Sequence, residues 1–349
     1  MTTPIIRTSE RRSKKRCEQR WGWGYRDGLV PKGMPATPLW FGTGIHEALA
    51  QWYQPGLSRG IHPADAWLDW VKEEEQYIRI NNRDTGDFND DEFVDAKALG
   101  DAMLVGYIAE YGEDETWDVI GTEEPFQIDI PYPVGYAGHD DGIRGDLPTD
   151  ENGEVDYLAI YAGTFDGVYR DLVDDAIWLM EHKTAKTIST RHLPLDDQAG
   201  SYWAVASRIL QDRGILRKGD RIEGIMYNFL RKALPDVRPK NGEGKYLNKN
   251  GSVSKSQPSP LFVREPVYRD RRERASQLRR IQNEGLRMEE ARSRLDSLDK
   301  NPTQDCSWDC SFYDMCLLHE KGGEDWKDYR DAMYDVRDPY ADHRKSASE

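Results

Sequence analysis

The sequence predicts a mixed α/β domain, and the order of its patterns is the main reason. Helical patterns come first, strand-like segments follow at 119–131, 157–171 and 176–184, and a helix, a strand and a second helix complete the order. This order is typical of a central mixed β-sheet with helices on its flanks. The 349 residues are enough for one large domain with insertions.

The N-terminal third is predicted to be helical. Residues 5–30 are expected to form a helix that carries Cys17, followed by a link rich in glycine and proline. The segment 39–112 is expected to form a helical part of the domain, because Ile45 and Leu49 lie on one apolar stripe. An acidic loop with the sequence NNRDTGDFNDDE interrupts it.

The second half of the chain contains the remaining elements. The segment 131–157 is rich in Gly, Pro and Asp and is interpreted as an insertion or an extended hairpin. Residues 195–214 form a helical pattern with a glycine stop, and residues 221–233 form a strand pattern. A polar loop at 236–260 then leads to a long Arg- and Glu-rich helix at 268–299.

Charge and hydropathy exclude some functions. The formal net charge of −15 argues against a protein that coats nucleic acid non-specifically, although it leaves room for a local basic groove. Three stretches concentrate positive charge, and each is either such a groove or a solvated surface. No apolar run approaches the roughly 20 residues that span a bilayer, and the N-terminus lacks the apolar part of a secretory signal. A cytoplasmic protein without membrane partners is expected.

The segment 163–186 contains the residues with the clearest chemistry, because an apolar run ends there in charged side chains. Side chains alternate along a strand, so Glu181 and Lys183 are expected to point the same way. If residues 172–175 form a hairpin turn, Asp166 lies directly opposite Glu181, with Cβ atoms roughly 5 Å apart.

Two facing carboxylates repel each other, and a divalent cation relieves the repulsion. Mg²⁺ accepts carboxylate oxygens at about 2.1 Å and keeps several waters. Lys183 on the same face would orient a water and offset charge on a phosphate. These residues predict metal-dependent phosphodiester hydrolysis. A structural carboxylate–lysine salt bridge at a strand end is the alternative that they leave open.

Four segments in the expected order resemble the PD-(D/E)XK nuclease superfamily, in its RecB-like branch. TFDGVYRD…AIWLMEHKTAK resembles its signature, FGTGIHEAL its upstream Gly-x3-His motif, DDQAGSYWAVA its Gln-x3-Tyr motif and IMYNFLRKA the strand that follows. The matches run from about residue 8 to 318. Glu181 replaces the branch's commoner Asp, and Phe165 stands where the family's Pro would be.

The resemblance implies roles for individual residues. His46, Asp166, Glu181 and the backbone carbonyl of His182 would be the ligands of a Mg²⁺ or Mn²⁺ ion. Lys183 would be the catalytic lysine.

Other polar residues are candidates for the same site. Gln198 and Tyr202 lie one helical turn apart, and the resemblance implies that they line the site and contact DNA. Glu124 is a candidate auxiliary acid. Asp140 and Asp141 are alternatives to Asp166 as the acid that precedes Glu181 in the metal site.

The four cysteines form a possible ligand set, with Cys17 near the start and Cys306, Cys310 and Cys316 near the end. Four thiolates suit zinc or an iron–sulfur cluster. The one-plus-three layout is similar to RecB-like nucleases such as the CRISPR-associated exonucleases and the nuclease domain of AddB, which implies a [4Fe–4S] cluster with a structural role. Zinc and unligated thiols are the alternatives.

The resemblance implies a restriction-endonuclease-like nuclease domain at 1–319, in which the cluster joins the N-terminal segment to residues 300–319. Residues 320–349 would be a polar tail. The expected activity is that of a bacterial or phage DNA exonuclease acting at single-stranded ends. The chain has no G-x4-G-K-[ST] motif, so any helicase motor would be a separate partner, as would a recombinase or a CRISPR integration protein. A non-catalytic scaffold subunit and a structure-specific endonuclease are the alternatives.

Overall fold

The computed structural model describes residues 3–32, 37–81, 90–133, 155–294 and 298–341. The strands are β1 Ile5–Arg7, β2 Leu29–Pro31, β3 Trp117–Pro131, β4 Tyr157–Asp171, β5 Ala176–Ala185, β6 Ile222–Arg231, β7 Phe262–Tyr268 and β8 Tyr334–Val336. The α-helices are α1 Thr8–Arg16, α2 Glu18–Trp21, α3 Thr37–Trp52, α4 Pro63–Asn81, α5 Asp90–Tyr111, α6 Asp197–Asp212, α7 Arg271–Ser293, α8 Cys306–Asp309, α9 Tyr313–Glu320 and α10 Asp325–Met333.

A mixed six-stranded sheet lies at the centre, which confirms the predicted fold class. The long strand β4 organises it, because β3 pairs antiparallel along the whole length of β4. On the other edge of β4, β1 pairs in parallel with residues 160–162, and β5 pairs antiparallel with residues 167–171. Residues 163–166 of β4 therefore lie between two different partners, and no described strand pairs with that edge there. Beyond β5 the sheet continues with β6, which is parallel to β5, and then β7.

Helices cover both faces of the sheet, and the side chains of β5 show why the strand is apolar throughout. Ile177 and Leu179 belong to the core shared with α6 and α7, whereas Trp178 and Met180 belong to the core shared with α3, α4 and α5. A strand buried on both faces forms a continuous apolar run. The charged residues that end this run are therefore placed at the rim of two cores.

The predicted hairpin between β4 and β5 has the expected register. Asp171 pairs with Ala176, and Gly167 pairs with Met180. Continuing this register by one residue places Asp166 opposite Glu181, although backbone pairing ends one step earlier. Strands β4 and β5 therefore separate at Asp166 and Glu181.

The N-terminal prediction was wrong at both ends. Residues 5–30 do not form one helix, because Ile5–Arg7 pair with β4 and Leu29–Pro31 pair with β8. Both pairings are with segments more than 150 residues away, so local helical preference does not determine them.

Two further segments differ from the sequence-based expectations. Strand β7 was not predicted, because Pro266 interrupts its pattern. Among the described strands it pairs with β6 alone, and an edge strand tolerates proline. The loop 236–260 contains two short turns, closed by the bridges Lys240–Tyr246 and Leu247–Val253. Most of the proposed insertion 131–157, with Asp140 and Asp141, lies outside the described residues.

The polar tail packs against the N-terminal segment. Its residues form α10 and β8, and Tyr334 at the start of β8 belongs to a small core with Trp23, Leu29, Phe312 and Met315. Within the described ranges, no helix has the length and apolarity needed to cross a membrane.

Candidate active site

Three carboxylates lie side by side on adjacent strands where β4 and β5 separate. Asp166 is on β4, and the hairpin register places Glu181 of β5 opposite it. The register of β3 places Glu123 opposite Asp166 from the other side. The sheet therefore concentrates negative charge at one point.

A histidine from helix α3 completes a possible metal site. His46 Nδ1 is 3.5 Å from Asp166 Oδ2. One ligand atom each from His46, Glu123 and Asp166 all lie within 4.8 Å of one another, and no other such group of His, Cys, Asp or Glu occurs among the residues described. Mg²⁺ binds carboxylate oxygens at about 2.1 Å, so small side-chain movements would bring all three into one coordination shell.

The carboxylate of Glu123 has the features expected of a ligand. Its Oε1 is buried and makes no hydrogen bond in the described part of the chain. Burial, with the charge of Asp166 adding to it, raises the pKa of Glu123 to about 7. A buried polar atom without a partner is costly, and a bound cation would satisfy it. The residues present therefore fit a divalent metal ion.

The charges around Asp166 are strongly coupled. Although burial opposes ionisation, the neighbouring His46 and the hydrogen bond from His182 lower the pKa of Asp166 to about 2. Burial lowers the pKa of His46, but the attraction of Asp166 outweighs it and raises the pKa to about 9. Without a metal, the imidazolium of His46 therefore partly neutralises the acids. A metal ion would take over this role and bind the neutral imidazole.

Glu181 and Lys183 point the same way, as predicted, and form an ion pair between Lys183 Nζ and Glu181 Oε1. The Glu181 side chain is only 2% exposed, whereas that of Lys183 is 29% exposed. Burial raises the pKa of Glu181 to about 7. Burial lowers the pKa of Lys183, but the Glu181 carboxylate outweighs it and raises the pKa above its usual value. Lys183 is therefore a charged amine that solvent can reach.

His182 connects the acids to a buried polar network. Its backbone N–H donates to Asp166 Oδ2 at 2.7 Å, which replaces the lost strand pairing. Its ring is buried, which lowers its pKa to about 3, so the neutral ring accepts a hydrogen bond at Nδ1 from Asn228 at 2.8 Å. Asn228 also donates to Tyr107, which accepts from Arg264.

This network holds the end of β5 that carries the candidate residues, and it was not predicted from the sequence. Its one visible signal is a lone asparagine, Asn228, in the apolar strand segment IMYNFL.

Gln198 and Tyr202, the two predicted residues on α6, line a cleft of about 310 Å³ together with His46 and Asp166. The Tyr202 ring packs edge-on against Phe126, with ring centroids 5.3 Å apart. The structure therefore brings six of the predicted side chains to one region: His46, Asp166, Glu181, Lys183, Gln198 and Tyr202.

Of the two consecutive acids in TEEPF, Glu123 and not Glu124 faces Asp166. The carboxylate of Glu124 instead lies 3.5 Å from Arg213. Glu123 has a φ of 48°, in the left-handed region that few residues other than glycine adopt. This local conformation could not be read from the sequence, and such strain is common at functional sites.

The four cysteines surround a second cavity of about 650 Å³ between the two ends of the chain. Cys17 lies between α1 and α2, and all four thiols are free and partly buried. The backbone N–H of Thr303 donates to Cys306 Sγ at 3.3 Å and lowers the pKa of that thiol. The cavity is therefore a candidate for a thiolate-bound metal group.

The mixed sheet and the acidic group beside a lysine are the features of a metal-dependent nuclease. A family model for the PD-(D/E)XK nuclease superfamily matches residues 9–317. The chain therefore belongs to the PD-(D/E)XK nuclease superfamily, and the match extends from α1 to α9. A comparison with curated proteins gives no match.

Replacing Glu123 tests the metal site, with its neighbour as the matched control. Glu123→Gln removes one charged ligand, so we expect the affinity for Mn²⁺ to fall about tenfold or more. Glu124→Gln removes the same charge one residue away and should leave the affinity unchanged. The measurement is a Mn²⁺ titration in which electron paramagnetic resonance gives the concentration of free Mn²⁺. Equal affinities in both variants and the unaltered protein would contradict the assignment.

Proposed function

We propose that the protein is a DNA exonuclease that hydrolyses phosphodiester bonds at single-stranded ends. The observation that carries the proposal is the convergence of His46, Glu123 and Asp166 beside Lys183. A small cleft leads to this group, and its volume of about 310 Å³ is at the lower end for small-molecule sites. Such a cleft suits one nucleotide unit of a single strand better than a duplex.

The side chains of His46, Glu123 and Asp166 would hold the Mg²⁺ or Mn²⁺ ion, with Glu181 as a further acid. The backbone carbonyl of His182 would be a further ligand. This is supported by its N–H, which faces Asp166, because the N–H and C=O of a strand residue point to the same edge. A divalent ion held there would supply Lewis acidity and lower the pKa of a bound water.

Lys183 would donate hydrogen bonds to the scissile phosphate or to the attacking water. The ion pair with Glu181 holds its amine at the rim of the acidic group and keeps it protonated. A fixed positive charge at this point stabilises the charge that develops on the phosphate oxygens.

Gln198, Tyr202 and Arg12 would position the strand end. All three line the cleft, and Arg12 Nη1 donates to Gln198 Oε1 at 3.5 Å. Substrate held in register by such groups reacts faster because less orientational freedom is lost in the reaction step.

We further propose that Cys17, Cys306, Cys310 and Cys316 bind a structural [4Fe–4S] cluster, as in the RecB-like branch. A tetrahedral zinc site with Zn–S bonds of 2.3 Å would place sulfurs about 3.8 Å apart. Among the described residues no three of these sulfurs lie within 4.8 Å of one another. This wider spacing favours a [4Fe–4S] cluster over a single zinc ion. Such a group would close a loop that spans almost the whole chain.

Digestion of end-labelled DNA tests the proposed activity. We expect Mg²⁺- or Mn²⁺-dependent release of nucleotides from single-stranded DNA, and Asp166→Asn and Lys183→Met should each reduce the rate by about 100-fold or more. Lys218→Met, at an exposed lysine beyond the far end of α6, is the matched control and should retain full activity.

The same assay separates the alternatives. Equal activity in the unaltered protein and both site variants would indicate a contaminant and favour a scaffold protein. Cleavage of covalently closed circular DNA would indicate an endonuclease and contradict the exonuclease proposal.

Metal analysis tests the cluster. Protein purified without oxygen should be brown and contain about four iron atoms per chain, and Cys310→Ala should lose both colour and iron. A colourless preparation with one zinc per chain would contradict the cluster.

A further inference from the structure

Helix α7 presents one polar, arginine-rich face to solvent. Its residues recur at helical spacing and border a surface depression of about 280 Å³: the exposed Ser276, Arg279, Asn283 and Arg287, the half-buried Arg280 and, at its base, the buried Glu284. Residues three and four apart lie on the same side of a helix. The face is therefore a continuous strip of α7.

Helix α1 lies alongside this strip and connects it to the candidate active site. Arg11 Nε is 2.6 Å and Lys15 Nζ is 3.0 Å from the Glu284 carboxylate. Arg12 on the same helix is exposed and lines the cleft that contains His46. Helix α1 therefore borders both the strip on α7 and the cleft that contains His46.

Two acids between α1, α6 and α7 are neutralised within the protein. Asp197 is bound by Arg11, Lys15 and Arg280, and Glu284 is bound by Arg11 and Lys15. Three basic residues of α1 and α7 thus neutralise these two carboxylates.

An excess of positive charge remains in a chain whose formal net charge is −15. Arg279 and Arg287 are exposed, and in the described part of the chain neither has an ion-pair or hydrogen-bond partner. Clustered cations of this kind repel one another and attract a polyanion.

We propose that Arg12, Lys15, Arg279, Arg280 and Arg287, here called the basic track, bind the phosphate backbone of the nucleic-acid strand whose end enters the cleft. The inference rests on the proposed function and identifies the surface that binds the part of the substrate strand distant from the scissile phosphate. From Ser276 to Arg287 the helix rises about 16 Å, which is long enough for several consecutive phosphates. Binding to phosphates is independent of base sequence.

The test uses paired alanine variants and omits divalent cations, so that it does not depend on hydrolysis. Arg279→Ala/Arg287→Ala removes two cations from the track, and alanine suits the helix. Arg217→Ala/Lys218→Ala removes two exposed cations beyond the C-terminal end of α6. That helix is about 24 Å long, and Gln198 lies at its other end. Circular dichroism confirms that each variant is folded.

The measurement is the fluorescence anisotropy of a labelled twenty-residue oligothymidylate at several salt concentrations. The track pair should bind roughly tenfold more weakly at low salt, and the slope of log K against log salt should become shallower by about 1.4, which is two single-strand phosphate contacts. The control pair should match the unaltered protein.

The inference is overturned if the two pairs lose affinity equally, if the track pair loses none, or if the unaltered protein does not bind the oligonucleotide. The proposed hydrolysis fails separately: a protein that binds through the track but digests no DNA would retain the track and lose the exonuclease assignment.

Discussion

Repulsion among the neighbouring carboxylates of the buried Glu181 and the half-buried Glu123 and Asp166 governs the chemistry of the site. Three acids on adjacent strands cannot all be ionised in a buried region without compensation, because the desolvation of each charge is unfavourable. The structure provides partial compensation from His46 and Lys183, together with the amide of His182. One carboxylate oxygen of Glu123 still lacks a partner among the described residues. A divalent cation bound by His46, Glu123 and Asp166 would satisfy this oxygen and offset the remaining repulsion.

The topology of the sheet creates the space for this chemistry. Because β1 and β5 share one edge of β4 at its two ends, residues 163–166 between them have no strand partner on that edge in the described structure. The acid at the end of this gap takes a backbone N–H of the diverging strand β5 as its partner. Helix α1 follows β1 directly, so the strand that fills one end of the edge also delivers Arg12 to the cleft. Fold and site are therefore consequences of the same strand arrangement.

The parts of the site that the sequence predicts are those set by local geometry. A two-residue period and a short turn suffice to place Asp166 opposite Glu181, and one helical turn suffices to place Gln198 beside Tyr202. Glu123 could not be chosen over its neighbour, because its position depends on a left-handed backbone conformation. Asn228 donates a hydrogen bond to His182 and so holds the end of β5 in place. It was not predicted, because its partner lies on another strand. Strand β1 was missed because it is three residues long and pairs with a segment more than 150 residues away.

The sharpest test of the metal site is anomalous diffraction from crystals grown with Mn²⁺. We expect a single strong manganese peak bonded to His46, Glu123 and Asp166, with Lys183 at the edge of its surroundings. A peak bound by other residues, or acids that turn away from one another in the presence of Mn²⁺, would contradict it.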